Sequence, residues 1–268
     1  MALPRREIRT IELFAGAGGG ILGHQLLGHR TVCAVEAAAY PRRVLLARQR
    51  DGSLPHRFPV WDDVCTFDGR PWRGRAECVS GGFPCTDISA AGKGAGIEGT
   101  KSSLWGQMAR IVGEVRPRFV FVENSPLLVR RGLTVVLGDL AALGYDARWC
   151  VLGAHHVGAP HKRDRIWILA RHPDSHSKST VPVDDEMARM PGVATHSDQS
   201  RSQIRVVHPH RAAFPGSREF KGSQWWETEP DLGRVAHGVA HRVDRLRAIG
   251  NGQVPAVAAL AWRVLGGP

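Results

Sequence analysis

The chain has 268 residues, of which 43% are hydrophobic, enough for one substantial core with a small second lobe. Its formal net charge of +11 favours a polyanionic partner such as nucleic acid, with a solvated basic surface as the simpler alternative. The five cysteines form no Cys-x-x-Cys pair and no zinc-like cluster with histidine, which predicts a reducing cytoplasmic setting and no metal site. Neither a signal peptide nor a membrane span is expected, because the chain starts with charged residues and lacks an apolar run of about 20 residues.

In chain order, short apolar runs alternate with helical patterns through the first two-thirds of the sequence. Strands are predicted at residues 10–14, 31–35, 78–80, 119–122, 149–152 and 166–170. Helices are predicted at residues 21–27, 41–50, 104–115 and 134–143, and a last helix at about 257–265 is apolar enough to pack back on the sheet. This order predicts an α/β fold with a doubly wound, mostly parallel sheet that binds ligands at the carboxyl ends of its strands.

The composition changes after Arg171. From residue 172 to about residue 221 the chain is rich in Ser, Pro, His and Arg, and its periodicity is weak. This composition permits a disordered linker. The alternative is a small, loop-rich lobe that binds nucleic acid, for which the candidate contacts are Arg201, Arg205, Arg211 and Arg218.

A glycine-rich turn follows the first predicted strand and opens the first helix. Glycines at 16, 18, 19 and 20 allow a ligand to approach the backbone, and the helix start offers free amide donors. The dinucleotide pattern Gly-x-Gly-x-x-Gly fails at Ile21, which counts against NAD. Glu36 ends the second strand, where it could accept bonds from ribose hydroxyls, and Asp62 and Asp63 could hold an adenine amino group. The glycine turn, Glu36 and Asp63, occurring in this order, favour a nucleoside cofactor without a pyrophosphate, such as S-adenosylmethionine.

A cysteine stands on the loop after the third predicted strand. Isolated cysteines are usually small buried hydrophobes. Cys85 differs because Pro84 fixes its approach and polar residues follow it, in a loop past the sheet edge where a nucleophile would meet a ligand.

Five motifs occur in order and at suitable spacing: Phe-Ala-Gly-Ala-Gly-Gly from Phe14, Gly-Gly-Phe-Pro-Cys ending at Cys85 with Ser89, Glu123-Asn124, Lys-Arg-Asp-Arg ending at Arg165, and Gly-Asn-Gly-Gln-Val-Pro ending at Pro255. Together they resemble the motif set of the bacterial and phage cytosine-5 DNA methyltransferases, over residues 9–170 and 234–265. The short middle region resembles phage or prophage members. The resemblance implies a catalytic and cofactor-binding domain at residues 1–171 plus 234–268, and a target recognition region at residues 172–233.

The resemblance also implies roles for individual residues. Cys85 would add to carbon 6 of a flipped-out cytosine, Glu123 would hold a proton on ring nitrogen 3, Arg165 would contact the cytosine carbonyl oxygen, and Arg163 would hold the catalytic loop and a phosphate. The expected contacts to S-adenosylmethionine are Phe14, Gly16, Gly18, Gly19, Glu36, Asp63, Val64, Pro84 and Asn251. The expected DNA contacts outside the four arginines are Thr86, Ser89, Lys101 and Asn124. The implied partner is double-stranded DNA, bound by a monomer, with a cognate restriction endonuclease left open.

Some positions depart from the family pattern. Thr86 stands where Gln is common, Lys101 where Arg is common, and Ser125 where Val is common. Lys cannot make the two parallel hydrogen bonds of a bidentate Arg. These departures therefore bear on the geometry of the catalytic loop more than on the reaction class. Two rival functions remain: methylation of cytosine in RNA, and a DNA-binding protein with a degenerate site. The presence of both Cys85 and Glu123 counts against the second rival.

Overall fold

A computed structural model describes residues 7–84, 104–173, 205–206 and 242–268. The strands are β1 (Arg9–Leu13), β2 (Arg30–Val35), β3 (Val60–Trp61), β4 (Cys78–Gly81), β5 (Phe119–Asn124), β6 (Asp146–Leu152), β7 (Arg165–Arg171) and β8 (Arg205–Val206). The helices are α1 (Gly19–Leu26), α2 (Ala39–Arg50), α3 (Leu104–Val115), α4 (Leu128–Arg131), α5 (Leu133–Ala142), α6 (Arg242–Asn251) and α7 (Pro255–Val264). No helix in these ranges is long and apolar enough to cross a membrane.

The described strands form one sheet in the order β3-β2-β1-β4-β5-β7-β6-β8. Every neighbouring pair from β3 to β5 is parallel, whereas β7 runs antiparallel to both β5 and β6. The antiparallel β6–β7 pair has a physical reason, since its connection holds only a short 3-10 turn and parallel neighbours need a longer crossover. The predicted doubly wound, mostly parallel sheet is confirmed, with this one strand reversed.

Both faces of the sheet are covered, which explains why β5 and β7 carry apolar runs without alternation. In β5, Val120 and Val122 face a core built with α3 and α5, while Phe119 and Phe121 face a second core built around Trp262 of α7. Helix α7 also packs closely on α1. This close approach needs a glycine, because a Cβ at Gly23 would lie 2.7 Å from the Ala258 Cβ.

The predicted elements match the observed ones to within a few residues, and helix 104–115 matches at both ends. Strand β1 ends at Leu13 rather than at Phe14, because Phe14 has a φ of +54° and already belongs to the glycine turn. Four short or terminal elements were not predicted, namely β3, β8, α4 and α6. Both two-residue strands are too short to show a period, and α6 has a weakly apolar sequence.

Candidate functional site

An open cleft lies where β1, β4 and β5 end, at the carboxyl edge of the parallel strands. It brings together four segments that are far apart in sequence. Its lining residues are Glu12, Leu13, Phe14, Ala15, Gly16, Gly20, Gly82, Glu123, Asn251, Gly252 and Gln253. The expectation of a site at this edge of the sheet therefore agrees with the geometry.

The glycine turn between β1 and α1 forms one wall of the cleft. Gly16 and Gly18 have φ values of +54° and +97°, which favour glycine, and a Cβ at Gly16 would meet open space. Glu36 fixes this turn from β2: its Oε2 accepts a hydrogen bond from the Gly16 amide at 2.7 Å, and its Oε1 accepts one from the Ala38 amide at 2.8 Å. Glu36 is thus positioned beside the cofactor turn, and its contact with a ribose stays a prediction.

Asp63 and Val64 follow β3 on a tight turn. The Asp63 Oδ1 accepts a hydrogen bond from the Cys65 amide at 2.8 Å. The Val64 side chain is buried in the core, and its carbonyl accepts a hydrogen bond from Arg110 Nη2 at 2.8 Å. Any cofactor contact by Val64 would therefore come from its backbone, while the adenine contact of Asp63 stays a prediction.

The segment before Cys85 is held from β5. The Asn124 Nδ2 donates to the Phe83 carbonyl at 3.0 Å, and its Oδ1 accepts from the Ser125 amide at 2.7 Å. Asn124 is buried, and its amide nitrogen and oxygen are both engaged inside the protein, while its contact with DNA stays a prediction. Pro84 is the last described residue of the loop. The predicted Cys85, Thr86, Ser89 and Lys101 lie outside the described residues.

Glu123 is the buried carboxyl of the cleft. Its Oε1 lies 2.9 Å from Arg165 Nε, and Gln253 also hydrogen-bonds to it. Burial raises the pKa of Glu123, although Arg165, Arg163 and the Gln253 hydrogen bond each oppose that shift. A carboxyl that is shielded from water and inclined to hold a proton is what the predicted role at ring nitrogen 3 requires.

Arg163 ties the carboxyl end of α6 to the start of β7. Its Nη2 donates to the carbonyls of Gly250 at 2.6 Å and Gly252 at 2.5 Å. The segment that carries Asn251 is thereby held over the cleft and Asn251 is one of the lining residues, while its contact with the cofactor stays a prediction. A contact of Arg163 with the catalytic loop or a phosphate stays a prediction, since that loop lies outside the described residues.

Gln253 joins the two halves of the cleft, and sequence analysis missed it. A Cβ on Gly19 would overlap the Gln253 carbonyl oxygen, and a Cβ on Gly20 would lie 2.8 Å from the Gln253 Oε1. Its Nε2 would lie 3.2 Å from a Cβ on Gly82. The only available signal was its place in the Gly-Asn-Gly-Gln-Val-Pro motif, where Asn251 alone was singled out. Glu12 was also missed, because an acid inside an apolar strand gives no periodic signal.

The described lining fits S-adenosylmethionine better than a dinucleotide. It offers carboxyl groups, backbone amides and glycines that leave room for a ligand, but it contains no Lys or Arg. A pyrophosphate would have to bind beside the carboxyl groups of Glu12 and Glu123 with no Lys or Arg in the lining to neutralise its charge, whereas a cationic nucleoside needs no such partner. Within the described residues no group of three His, Cys, Asp or Glu side chains could hold a metal ion.

Three of the four predicted DNA-contacting arginines, at 201, 211 and 218, lie outside the described residues. The backbone of Arg205 forms β8 and pairs with Arg148 of β6 at the edge of the sheet. The role of residues 172–233 therefore stays a prediction.

Comparisons with known proteins point to one family. A family model described as C-5 cytosine-specific DNA methylase matches residues 8–210. The chain is 35% identical over 166 residues to the Type II methyltransferase M.CviJI of Paramecium bursaria Chlorella virus IL3A, covering 61% of the chain and 43% of that protein. It is 32% identical over 180 residues to the Type II methyltransferase M.PspPI of Psychrobacter sp. (strain TA137), covering 65% of the chain and 42% of that protein.

The matched segment thus spans less than half the length of these two relatives. Among solved structures, a mutant DNMT2 of Spodoptera frugiperda is similar in fold, with a TM-score of 0.51 and 14% identity over 65% of the chain and 54% of that structure. On the extent of the family match, the chain belongs to the C-5 cytosine-specific DNA methylase family.

Proposed function

We propose that this protein transfers a methyl group from S-adenosylmethionine to carbon 5 of cytosine in double-stranded DNA, with Cys85 as the nucleophile. The observation that carries the proposal is the buried Glu123, held by Arg165 and Gln253 at the cleft beside the segment that leads to Cys85. Family membership supplies the reaction class.

The chemistry accounts for the residue types. Carbon 5 of cytosine is a poor nucleophile, so the Cys85 thiolate first adds to carbon 6 and gives the ring enamine character. Glu123 supplies a proton to ring nitrogen 3 as negative charge develops there, and Arg165 stabilises the carbonyl oxygen. The cofactor, when bound, supplies the methyl group as an electrophile. Loss of the carbon 5 proton and departure of Cys85 then restore the aromatic ring.

The target base must leave the stack to reach Glu123, which lies inside the cleft. We propose that residues 172–233 form the target recognition region, with Arg201, Arg205, Arg211 and Arg218 as its DNA contacts. Ser89, Thr86 and Lys101 are proposed to contact the DNA around the flipped nucleotide. We further propose that the protein acts as a monomer in the cytoplasm of a bacterial or phage-infected cell, as part of a restriction-modification system or as an orphan enzyme.

Methyl transfer can be measured with radiolabelled S-adenosylmethionine on duplex DNA and on transfer RNA. Label on DNA alone supports the proposal, and label on RNA alone supports an RNA cytosine methyltransferase. No label on either substrate, with intact DNA binding, supports a DNA-binding protein with a degenerate site. The Cys85→Ser variant is expected to lose methylation by orders of magnitude while it keeps its cofactor affinity, because serine is a far weaker nucleophile. Turnover above about a tenth of the wild-type value would contradict the covalent mechanism.

The cytosine ring atom that accepts the methyl group can be identified in a separate experiment. Duplex DNA with 5-fluorocytosine at the target should form a denaturation-resistant complex, because fluorine cannot leave as a proton and Cys85 stays attached. If the protein binds this DNA and the methyl donor is present, but no such complex forms, the result would argue against carbon 5 as the acceptor.

A further inference from the structure

The Gln253 side chain occupies a place in the cleft that none of the chemical steps above uses. Gln253 stands two residues before α7, and it lines the cleft together with Glu123. The glutamine amide is uncharged, and it offers two N–H donors and one carbonyl acceptor. Such a side chain cannot supply a proton at neutral pH, but it can hold a neighbouring group by hydrogen bonding.

Gln253 and Glu123 meet in a space that Gly82 leaves open. An ideal Cβ on Gly82 would lie 2.6 Å from Glu123 Oε2 and 3.2 Å from Gln253 Nε2, so both atoms fill the volume that a side chain would take. The Gln253 amide hydrogen-bonds to the Glu123 carboxyl, whose Oε1 lies 2.9 Å from Arg165 Nε. The carboxyl is therefore held by two side chains from separate parts of the chain.

Gln253 also packs against the start of α1, which we propose binds the cofactor. An ideal Cβ on Gly20 would lie 2.8 Å from Gln253 Oε1, and one on Gly19 would overlap the Gln253 carbonyl oxygen. The side chain thus reaches from the glycine turn on one side of the cleft to the carboxyl at the end of β5 on the other. Both contacts need glycines, because any side chain at these positions would displace Gln253.

The backbone that carries Gln253 is fixed by Arg163. The Arg163 Nη2 donates to the carbonyls of Gly250 at 2.6 Å and Gly252 at 2.5 Å. Arg163 stands only two residues before Arg165, which contacts Glu123 directly. One short segment at the start of β7 therefore holds both the carboxyl and the turn from which Gln253 reaches it.

We propose that Gln253 is a positioning residue that holds the Glu123 carboxyl in the orientation for protonating ring nitrogen 3 and links this orientation to the wall of the cofactor site. A single contact with Arg165 leaves the carboxyl free to turn about its last bond, and the second hydrogen bond fixes its plane. Orientation matters because proton transfer requires the donor to lie within hydrogen-bond reach of the acceptor and aligned with it. The inference rests on the proposed function for the identity of the reaction.

The charged and titratable groups that face Glu123 among the described residues come from β7 and β1. Burial raises the pKa of Glu123, while Arg165, Arg163 and the Gln253 hydrogen bond each lower it. Across the cleft, burial raises the pKa of Glu12 to about 8, so Glu12 is mostly neutral at pH 7 and places little charge beside Glu123. Loss of the Gln253 donor should therefore raise the pKa of Glu123 further.

Gln253→Met tests the inference in turnover, because methionine has nearly the same length but no N–H donor. We expect kcat to fall at least about tenfold with a change in the KM for S-adenosylmethionine below about threefold, since a positioned acid contributes roughly 10²- to 10⁴-fold. The high-pH limb of the kcat profile should move to higher pH, because Glu123 keeps its proton longer. The matched control Gln25→Met makes the same change at an exposed position of α1 and should leave all three quantities unchanged.

Carbon-13 NMR of the glutamate carboxyls tests the contact without cofactor or turnover. The Glu123 signal, identified by its absence in Glu123→Gln, should titrate at higher pH in Gln253→Met than in the wild-type protein or in Gln25→Met. Gln253→Glu keeps the size of the side chain and serves if Gln253→Met does not fold. Two adjacent carboxyls should then titrate in two separated steps, the upper one above the wild-type midpoint.

The outcomes separate this inference from the proposed function. An unchanged Glu123 titration in both Gln253 variants would overturn the contact, and a fall in kcat with an unmoved pH profile would overturn the positioning role. Absence of methyl transfer to DNA by the wild-type protein would overturn the proposed function, while the carboxyl titrations would still report whether Gln253 holds Glu123.

Discussion

Replacing Arg165 by Met should destabilise the protein in a way that depends on pH. Arg165 lies 2.9 Å from Glu123 and is the largest of the influences that lower the pKa of that carboxyl against its burial. Removing one partner of a buried ion pair costs about 3–5 kcal/mol. The Arg165 side chain is 28% exposed, so solvent screening reduces the expected loss to about 1–3 kcal/mol at pH 8.

The direction in which the stability difference changes with pH follows from the linkage between proton binding and folding. The folded pKa of Glu123 is raised above its unfolded value, so the carboxyl stabilises the fold fully below the unfolded pKa and loses that contribution as pH rises through the folded pKa. Without Arg165 the folded pKa rises further, and each added unit costs about 1.4 kcal/mol at pH values above it. The stability difference from the wild-type protein should therefore be small near pH 5 and largest near pH 8.

Urea unfolding followed by tryptophan fluorescence at pH 5, 6, 7 and 8 measures this difference. The Glu123→Gln/Arg165→Met double variant is the matched control, because it has no carboxyl to titrate and should lose the added pH dependence. Parallel stability curves for the wild-type protein and Arg165→Met across this range would refute the coupling between the two side chains.

Three further outcomes are expected. Gly20→Ala should weaken S-adenosylmethionine binding in calorimetry, because its Cβ would lie 2.8 Å from Gln253 Oε1 and 3.0 Å from Glu12 Oε2 and would displace both side chains within the cleft; unchanged affinity would show that these side chains can move without affecting the cofactor. Its control, Gly138→Ala in the interior of α5, meets open space and should raise the unfolding free energy by about 0.5–1 kcal/mol, while a loss would contradict the open environment. Tyr145→Phe removes the buried hydrogen bond from the Tyr145 hydroxyl to the Pro117 carbonyl at 2.7 Å, and urea unfolding should show a loss of about 1–2 kcal/mol; no loss would mean that this carbonyl finds another donor. Single substitutions of the four arginines in residues 172–233 should each either flatten the salt dependence of DNA binding by about one unit or relax the methylation pattern at one base; no effect from all four would make this region a linker.

The order of strands and helices was predictable because local periodicity and glycine placement specify it. Residues 104–115 carry five buried side chains at helical spacing, so the pattern alone sets both ends of α3. The motifs likewise indicated Glu123, Arg163 and Arg165, because a family resemblance identifies residue types at fixed places in the chain. The order of strands in the sheet and the reversal of β7 depend on long-range pairing, on which periodicity is silent.

What the sequence determined by itself was the composition of the site, and what tertiary structure decided was which groups meet within it. Asn124 follows Glu123 directly, yet it holds the Phe83 carbonyl from inside the protein while Glu123 lines the cleft, because successive residues of a strand point to opposite faces. Gln253 lies 130 residues beyond Glu123 in the chain and becomes its neighbour only when α7 packs back on the sheet. The approach of Glu12 to His24 has the same origin, since the 3.1 Å between the Glu12 Oε1 and the His24 Nε2 exists only once α1 is packed on β1.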